Sequence, residues 1–267
     1  MNGAMNWNAK SKISQEIVTE ASTLALEHFD NISSLQIEQK GHQDFVSQAD
    51  KEVEAFIREK LDLHFPDDGI VGEEDKRKPS KSGFTWVIDP IDGTANFIKG
   101  IPAWVVVLAG VYEDKVAIGI IFDACHNEMF SAIVNQGAFL NGKRIPPLGE
   151  GLLQEGSVGV GFSNCASTKW TISIISQILD EGGVFQRNAS GALSLAYVAT
   201  GRLLGYVEEY MNAWDCLAGQ LLVAEAGGLI ELQSANAMIE NGGEVIVGVP
   251  GIFEKLLEIS RKAKILV

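Results

Sequence analysis

The hexapeptide Asp89–Thr94 is the part of the chain whose residue types and spacing are best suited to chemistry. Its carboxylates, Asp89 and Asp92, flank a proline that fixes φ and removes a backbone donor, so we expect a sharp turn that points both acids to one side. Such acids hold hard divalent cations. Gly93 and Thr94 then open a segment whose first N–H groups would lack intrahelical partners and so suit a phosphate. The hexapeptide therefore predicts adjacent cation and anion sites.

Two other acidic segments favour a metal site over an ordinary turn, for which Asp-Pro and Asp-Gly are also typical. Upstream, a short apolar strand around Ile70 delivers Glu73 at its end. Downstream, Asp215 precedes a helix with one apolar stripe that stops at Gly227. An N-terminal cap, which stabilises a helix by about 0.5 to 2 kcal/mol, would also explain Asp215.

Together these segments resemble the inositol monophosphatase family of magnesium-dependent, lithium-sensitive phosphatases. The resemblance extends over nearly the whole chain and rests on matches in the family's order at residues 40–50, 72–74, 89–97, 214–215 and 225–228. It implies a layered αβαβα sandwich of the sugar phosphatase type. We expect an N-terminal α+β half at residues 1–146 that carries most metal ligands, and a C-terminal α/β half at residues 147–267 that carries Asp215 and the substrate-recognition residues.

The resemblance also implies a set of metal ligands and a mechanism. The ligands of two or three magnesium ions would be Glu73, Asp89, the backbone carbonyl of Ile91, Asp92 and Asp215. Water activated by a metal would attack the phosphorus in line, without a covalent intermediate. Glu73 and the Thr94 hydroxyl would position that water, and Asp50 would be hydrogen-bonded to Thr94. Asp50 also begins a run with helical apolar spacing, so it can start a helix as well.

Substrate recognition is assigned by the same resemblance, mostly to the second half of the chain. The implied residues are Asp92, Gly93, Thr94, Ser190, Gly191, Ala192, Glu208 and Asp215. Two positions depart from the family pattern: Ser194 stands where many members carry Asp, and Ala189 stands where several carry Gly. We therefore expect differences near the leaving group. For Glu208, an exposed acid at a strand edge is the alternative interpretation.

Composition fits an enzyme of one large or two modest domains. The 267 residues are 46% hydrophobic and carry a net charge of −14, which opposes direct binding of nucleic acid. Bound divalent ions would reverse the local field for an anionic substrate. We expect no membrane span and no export signal, hence the cytoplasm. Three scattered cysteines argue against a disulfide framework and are interpreted as small core or pocket-side residues.

The periodicity of the chain predicts the elements that must position these residues. Helices are expected at about 9–29 and 50–65, and strands around residues 70, 86, 104–111, 116–122, 129–134 and 138–140. A hairpin should join the central strands at residues 112–115. Gly137–Lys143 has P-loop spacing, but Arg144 replaces the expected Ser or Thr, so Asn141-Gly142 is interpreted as a hairpin turn. After Pro146, strands and helices alternate, which predicts a second α/β unit.

The resemblance implies a magnesium-dependent phosphomonoesterase that hydrolyses a small polyol or sugar phosphate, with inositol 1-phosphate as the first candidate. Fructose 1,6-bisphosphate, histidinol phosphate, adenosine 3′,5′-bisphosphate and NADP remain open, because relatives with those substrates share the motifs. A regulatory protein that binds transcription machinery is the alternative of a different class. Family members are commonly dimers, so a homodimer is expected.

Overall fold

The computed structural model describes residues 6–35, 37–41 and 44–265, so residues 42 and 43 of the motif at 40–50 lie outside the described residues. The helices are α1 (Trp7–Asp30), α2 (Gln48–His64), α3 (Thr94–Phe97), α4 (Thr168–Asp180), α5 (Gly191–Ala199), α6 (Ala213–Glu225), α7 (Ala235–Asn241) and α8 (Phe253–Ile265). The strands are β1 (Ile37–Gly41), β2 (Asp44–Ser47), β3 (Gly69–Gly72), β4 (Phe84–Asp92), β5 (Val105–Tyr112), β6 (Lys115–Asp123), β7 (Glu128–Ile133), β8 (Gly137–Leu140), β9 (Lys143–Arg144), β10 (Ser157–Val160), β11 (Val184–Gln186), β12 (Gly205–Met211), β13 (Leu229–Ile230) and β14 (Gly243–Gly248). Short 3₁₀ helices cover Ile32–Ser34 and Leu153–Glu155.

Most strands belong to one of two sheets. The large sheet has the order β3-β4-β5-β6-β7-β8-β9, with β3 parallel to β4 and the following neighbours antiparallel. The small sheet has the order β11-β10-β12-β14-β13, in which β10 is parallel to both of its neighbours and β14 is antiparallel to both of its own. Strands β1 and β2 form a separate antiparallel hairpin before α2.

The layers follow from which face of each element is apolar. Helices α1 and α2 bury Ile17 and Val53 against the outer face of the large sheet. Helices α5 and α6 fill the space between the two sheets, and α4 and α8 cover the outer face of the small sheet. The predicted αβαβα sandwich is confirmed. The central layer contains apolar residues from both halves of the chain, while the division at residues 146/147 stays a prediction.

Strand β4 is buried along its length because both of its faces are covered, which explains its almost continuous apolar sequence. Successive side chains of a strand point to opposite faces. Trp86 and Ile88 accordingly pack beneath α1 and α2, whereas Val87 belongs to the core around α5 and α6. Asp89 shares the parity of Val87, so the alternation directs it towards the layer that contains α6. A bulge between Asp89 and Asp92 then ends the regular pairing with β5.

The long predicted elements are confirmed with small shifts of their ends. The hairpin predicted at residues 112–115 joins β5 to β6. The turn at Asn141-Gly142 joins β8 to β9, and both residues have positive φ, 49° and 72°. The sequence analysis did not name the short elements β9, β13 and α7 or the β1–β2 hairpin, because a few residues carry too little periodicity. The interpretation of all three cysteines as core or pocket-side residues is wrong for Cys165, which is exposed.

Among the described residues, no helix combines the length and the apolar character that crossing a membrane requires.

Candidate active site

Three carboxylates from separate parts of the chain meet where β4 ends. Asp89 and Asp92 lie at the C-terminal end of that strand, and Asp215 lies in the first turn of α6. Among the described residues, this group offers carboxylate oxygens that all lie within 4.8 Å of one another. Asp89 is 1% exposed, and Asp92 is 8% exposed. The structure therefore brings together the three aspartates that the sequence analysis interpreted as ligands.

Burial of like charges dominates the electrostatics of this group. Burial, and then the charges of Glu73, Asp92 and Asp215, raise the pKa of Asp89 well above its ordinary value. Burial and the charge of Asp215 raise the pKa of Asp92 to about 7, although hydrogen bonds from Ser190 and Ala192 oppose that shift. The pKa of Asp215 is also raised, mainly by burial. A divalent cation would remove this repulsion, because it would favour the ionised form of every member.

Glu73 lies directly after β3 and next to this group. Strand β3 runs parallel to β4 with Gly72 paired to Ile88, so Glu73 leaves its strand at the level where Asp89 leaves its own. The charge of Glu73 raises the pKa of Asp89. It is not a member of the group whose oxygens lie within 4.8 Å, and its role as a ligand stays a prediction.

Thr94 is fixed from two sides by oxygen atoms. Its Oγ1 lies 3.0 Å from Asp50 Oδ1 and 3.0 Å from the backbone oxygen of Ile91, so the single hydroxyl proton can be donated to either. Asp50 is fully buried and accepts hydrogen bonds through Oδ2 from the backbone N–H and the hydroxyl of Ser47, at 2.8 and 2.6 Å. The bond from the Ser47 N–H is one half of the capping box of α2, in which the Ser47 side chain in turn accepts from the backbone N–H of Asp50. The two interpretations of Asp50, helix start and partner of Thr94, hold at once.

Gly93 turns the chain sharply between β4 and α3. Its φ is 102°, in the left-handed region that favours glycine, and an added Cβ would lie 2.8 Å from the oxygen of Ala103. No other residue type fits here without moving that backbone. The turn directs the start of α3, including Thr94, towards the aspartates. Binding of a phosphate by the N–H groups of Gly93 and Thr94 stays a prediction.

Asp92 connects the two halves of the chain. Its Oδ2 accepts hydrogen bonds from Ser190 Oγ at 2.5 Å and from the backbone N–H of Ala192 at 2.8 Å. Both donors lie at the N-terminus of α5, where Ser190 is also the N-cap. The side chain of Asn96 makes a second connection, since Nδ2 donates to the backbone oxygens of Ala103 and Asn188, each at 2.7 Å. The loop with the aspartates is therefore tied to the segment predicted to bind substrate.

A cavity of about 150 Å³ opens beside the aspartates, lined by Asp92, Asp215, Ser190, Gly191, Tyr206 and Glu208 among others. Glu208 is 7% exposed, which excludes the alternative of an exposed edge acid. Its Oε2 accepts a hydrogen bond of 2.5 Å from the Tyr206 hydroxyl. Burial raises the pKa of Glu208 to about 7. The backbone of Gly161 lies directly against this carboxylate, since a Cβ there would lie 2.1 Å from Glu208 Oε2. Ala192, by contrast, is fully buried and contributes its backbone N–H.

The two departures from the family pattern lie at this cavity. Ala189 has a φ of 62°, in the region that glycine adopts readily and alanine does not. Ser194 donates its hydroxyl towards Asn188 Oδ1 at 2.9 Å and the backbone oxygen of Ser190 at 2.9 Å. Asn188 Oδ1 also accepts the backbone N–H of Ser190 at 3.0 Å. The Ser194 hydroxyl therefore forms its hydrogen bonds within the wall of the cavity, where it stabilises the turn before α5.

The sequence analysis missed Tyr206 and Gly161 as parts of this site. Tyr206 was within reach of sequence reasoning, because residues two positions apart on a strand share a face and Glu208 was already a candidate. Gly161 follows β10 and carries no side chain, so no chemical pattern marked it. Gly161 belongs to the site because β10 pairs with β12, which places its backbone against Glu208 and Tyr206.

The set of donors suits magnesium. Magnesium prefers hard oxygen ligands in near-octahedral geometry and usually keeps several waters, which carboxylates from separate segments leave room for. Asp89, Asp92 and Asp215 supply such oxygens, and a divalent cation would offset the repulsion that helps to raise the pKa values of Asp89 and Asp92. Histidine and cysteine, which would favour zinc, are not members of the group.

Comparison with known proteins identifies the family. The model of the inositol monophosphatase family matches residues 8–264. The Nus factor SuhB of Escherichia coli (strain K12) is 34% identical over 241 residues, which cover 89% of this chain and 90% of that protein. The inositol-1-monophosphatase of Rhizobium meliloti (strain 1021) is 31% identical over 251 residues, which cover 92% and 94%. The crystal structure of the extragenic suppressor protein SuhB from Bartonella henselae matches with a TM-score of 0.89 and 29% identity, covering 95% of this chain and 99% of that one. The resemblance predicted from the motifs is confirmed, and the chain belongs to the inositol monophosphatase family.

Proposed function

We propose that this chain is a magnesium-dependent phosphomonoesterase that hydrolyses a small polyol phosphate, with inositol 1-phosphate as the first candidate. The observation that carries the proposal is the convergence of Asp89, Asp92 and Asp215 beside a polar cavity, in a chain of a phosphatase family. When bound, two or three magnesium ions would lower the pKa of a water and offset the charge of the phosphate. The proposed ligands are Glu73, Asp89, the carbonyl of Ile91, Asp92 and Asp215.

The residues around the aspartates orient the attacking water and bind the polyol. Glu73 and Thr94 orient the attacking water in line with the ester bond, and Asp50 holds the Thr94 hydroxyl in place. Water adds to phosphorus while the bond to the polyol oxygen breaks, so the products are the free alcohol and phosphate. Glu208 accepts hydrogen bonds from the polyol hydroxyls, and Tyr206 holds its carboxylate towards the cavity. Gly93, Ser190 and Gly191 complete the proposed contacts, while the Ala192 N–H supports Asp92.

The size of the cavity favours a small polyol over a dinucleotide. Pockets that enclose drug-sized ligands measure about 300 to 1,000 Å³, whereas this cavity measures about 150 Å³. A ring with several hydroxyls can place most of its surface here, but most of NADP would remain outside. The acidic wall formed by Glu208 also suits hydroxyl donors better than a second phosphate, which weighs against the bisphosphate substrates.

The metal mechanism is tested by Asp89→Asn, with Asp180→Asn as the matched control. Asp180 ends α4, is exposed and undergoes the same change of charge. We expect Asp89→Asn to lower turnover by several orders of magnitude, because a metal ligand is lost while the shape of the site is kept. Asp180→Asn should retain the wild-type rate. Near-normal phosphate release by Asp89→Asn, measured with magnesium in excess, would contradict the proposal.

The substrate is tested with a panel of phosphate esters and purified protein. The panel contains inositol 1-phosphate, fructose 1,6-bisphosphate, histidinol phosphate, adenosine 3′,5′-bisphosphate and NADP. We expect the highest kcat/KM with inositol 1-phosphate, and inhibition by lithium as in the family. A preference for one of the other esters would reassign the substrate without removing the reaction class.

Recognition of the polyol is tested by Glu208→Ala. We expect KM to rise more for inositol 1-phosphate than for an aryl phosphate, since the aryl ester offers no hydroxyls to the carboxylate. Tyr206→Phe should act in the same direction and more weakly, because it removes only the hydrogen bond that orients Glu208. Equal effects on the two esters would place Glu208 outside recognition.

We also propose that the chain forms a homodimer. Strand β11 lies at the edge of the small sheet, where Val184 and Phe185 are 56% and 39% exposed. An exposed apolar edge strand is a template for pairing with another chain, and exposed apolar patches mark interaction sites. Light scattering after gel filtration should give twice the chain mass, and Val184→Lys should shift the protein towards the monomer. A wild-type monomer would contradict this proposal.

A second function is favoured by one comparison. The Escherichia coli relative, 34% identical over 89% of this chain, is named as a Nus factor. We propose that this chain has a regulatory role in which it binds transcription machinery independently of catalysis. Binding of purified RNA polymerase by both wild type and Asp89→Asn would support this role. Failure of the wild type to bind would leave only the enzymatic function.

A further inference from the structure

We propose that Glu54 is a positioning residue that fixes the main chain on both sides of Glu73 and thereby sets the affinity of the site for magnesium. Glu54 lies on α2, is 1% exposed and takes no part in the mechanism above. The inference rests on the proposed role of Glu73 as a magnesium ligand.

The carboxylate of Glu54 binds the main chain directly after Glu73. Its Oε2 accepts a hydrogen bond from the backbone N–H of Glu74 at 2.8 Å, and its Oε1 accepts one from the N–H of Asp75 at 3.1 Å. Hydrogen bonds to an ionised carboxylate are about twice as strong as those between neutral groups. Because the bonded amides belong to the next two residues, they fix the peptide from which the Glu73 side chain projects.

The same carboxylate contacts the main chain directly before Glu73. A Cβ built on Gly72 would lie 2.3 Å from Glu54 Oε1 and 2.5 Å from Cδ. Only glycine allows the strand to approach the carboxylate this closely. The glycine before Glu73 is therefore explained by the space that Glu54 occupies, and Glu73 is confined between two segments that touch one side chain.

Arg58 holds Glu54 in this position. Its Nε donates to Glu54 Oε1 at 2.7 Å, and its terminal nitrogens donate to the backbone oxygens of Asp75 and Lys76, each at 3.1 Å. Glu54 and Arg58 lie four residues apart on one face of α2. Glu54 accepts from backbone N–H groups of the loop after Glu73, and Arg58 donates to its backbone oxygens. The guanidinium also compensates the charge that burial of Glu54 would otherwise leave alone.

One face of α2 carries out this positioning for both residues that are proposed to orient the attacking water. Asp50, Glu54 and Arg58 lie at intervals of four residues and so share that face. Asp50 binds Thr94, while Glu54 and Arg58 bind the loop of Glu73. The rigid helix thereby sets the distance between Thr94 and Glu73, which follow different strands.

The test is Glu54→Gln, compared with Glu59→Gln. Glu59 lies on the same helix, is exposed and undergoes the same change of charge. In Glu54→Gln an amide N–H₂ replaces one acceptor opposite backbone N–H groups. We expect a loss of affinity for Mn²⁺, measured by electron paramagnetic resonance with the metal alone, of about tenfold or more, as is typical when a group that orients a metal ligand is lost. The magnesium concentration for half-maximal phosphatase activity should rise by the same factor.

Two further measurements separate positioning from general stabilisation. At saturating magnesium the KM for the phosphate ester should equal that of the wild type, and kcat should largely recover. Arg58→Lys keeps the charge but loses the hydrogen bonds to Asp75 and Lys76, so it should weaken Mn²⁺ binding by a smaller factor. A purely structural role would lower the melting temperature and leave Mn²⁺ affinity unchanged in both variants, and that result would overturn the inference.

The metal-binding measurement also separates this inference from the proposed function. If the wild type binds Mn²⁺ but hydrolyses no ester in the panel, the proposed function fails, and weaker binding by Glu54→Gln still supports the positioning role. If the wild type is active and Glu54→Gln binds Mn²⁺ as tightly as Glu59→Gln, the positioning role fails alone. Should Glu54→Gln not fold, Arg58→Lys decides, and unchanged Mn²⁺ affinity in it would overturn the inference.

Discussion

Ala189 shows, at the scale of single residues, the clearest mismatch between residue type and backbone. Its φ of 62° costs an L-residue roughly 1 to 2 kcal/mol. The strain lies one residue before Ser190, which donates to Asp92. We expect Ala189→Gly to raise the free energy of unfolding by up to about 1 kcal/mol in urea denaturation, because the relief of strain exceeds the extra entropy of glycine in the unfolded chain.

Ala55→Gly is the matched control for that change. Ala55 is exposed in the middle of α2 and has ordinary helical geometry. There the substitution should lower the free energy of unfolding by roughly 0.5 to 1 kcal/mol. Loss of stability at both positions would show that the turn before α5 is not strained.

The aspartate group gives a pH dependence that is also a property of single residues. The pKa of Asp92 is about 7 in the folded chain, whereas an unfolded aspartate titrates near about 3.9. Between these values the folded state holds more protons than the unfolded state, so the free energy of unfolding of the metal-free protein falls as pH rises through this window. We expect a lower melting temperature in EDTA at about pH 8 than at about pH 5.5.

Magnesium and Asp92→Asn test the cause of that dependence. Magnesium competes with protons for the carboxylates, so it should raise the melting temperature more at the higher pH. Asp92→Asn removes one titrating group and should reduce the fall in stability. An unchanged pH profile in Asp92→Asn would assign the dependence to other groups.

At the scale of elements, a part-buried ion pair attaches α1 to the large sheet. Lys10 Nζ is paired with Asp68 Oδ2 and lies 4.1 Å from the centre of the Phe65 ring and 4.5 Å from that of Phe84. Asp68 also accepts a hydrogen bond of 3.0 Å from Trp86 Nε1. The carboxylate thus joins α1, the turn before β3 and the centre of β4.

We expect Lys10→Met to lower the free energy of unfolding by about 3 kcal/mol, because Asp68 would keep its charge without its cation. Lys262→Met is the control, since its pair with Glu258 on α8 is exposed on both sides and should contribute little to the free energy of unfolding. Urea denaturation measures both. Equal small losses would show that the α1 attachment depends on apolar packing alone.

At the scale of the whole molecule, the central layer belongs to both halves of the chain. Leu217 and Val223 of α6 lie in one core with Val87 and Val107 of the large sheet and Val247 of the small sheet. Either half alone would expose this core. We therefore expect the metal-free protein to unfold in one transition, with far-ultraviolet dichroism and tryptophan fluorescence coinciding.

A fragment of residues 147–267 is the companion test of that cooperativity. We expect it to lack a cooperative thermal transition, because α5 and α6 would lose the large sheet against which they pack. Two separate transitions in the whole chain, or a cooperatively folded fragment, would favour halves that fold independently, in line with the boundary proposed at residues 146/147.

The sequence by itself predicted the family, the long elements and the three aspartates that meet at the candidate site. Local chemistry fixes these features: a Pro between two acids, a Gly at a positive φ, capping residues before α2 and α6, and the alternation along β4 that turns Asp89 inwards. The resemblance linked motifs more than a hundred residues apart. Neither the local patterns nor the resemblance predicted distances, because the separation of Asp89 from Asp215 depends on how α6 packs between the two sheets.

Only the tertiary structure decided which side chains support the site. Glu54 has the sequence context of any acid on a helix. Its carboxylate is buried against the backbone of Glu74 because β3 pairs with β4 and brings the loop after β3 to α2. Tyr206 and Gly161 meet because β10 pairs with β12. Ala189 looks ordinary until its φ is known. Contacts between segments distant in sequence arise from packing, and local patterns carry no information about which partner a buried polar group will find.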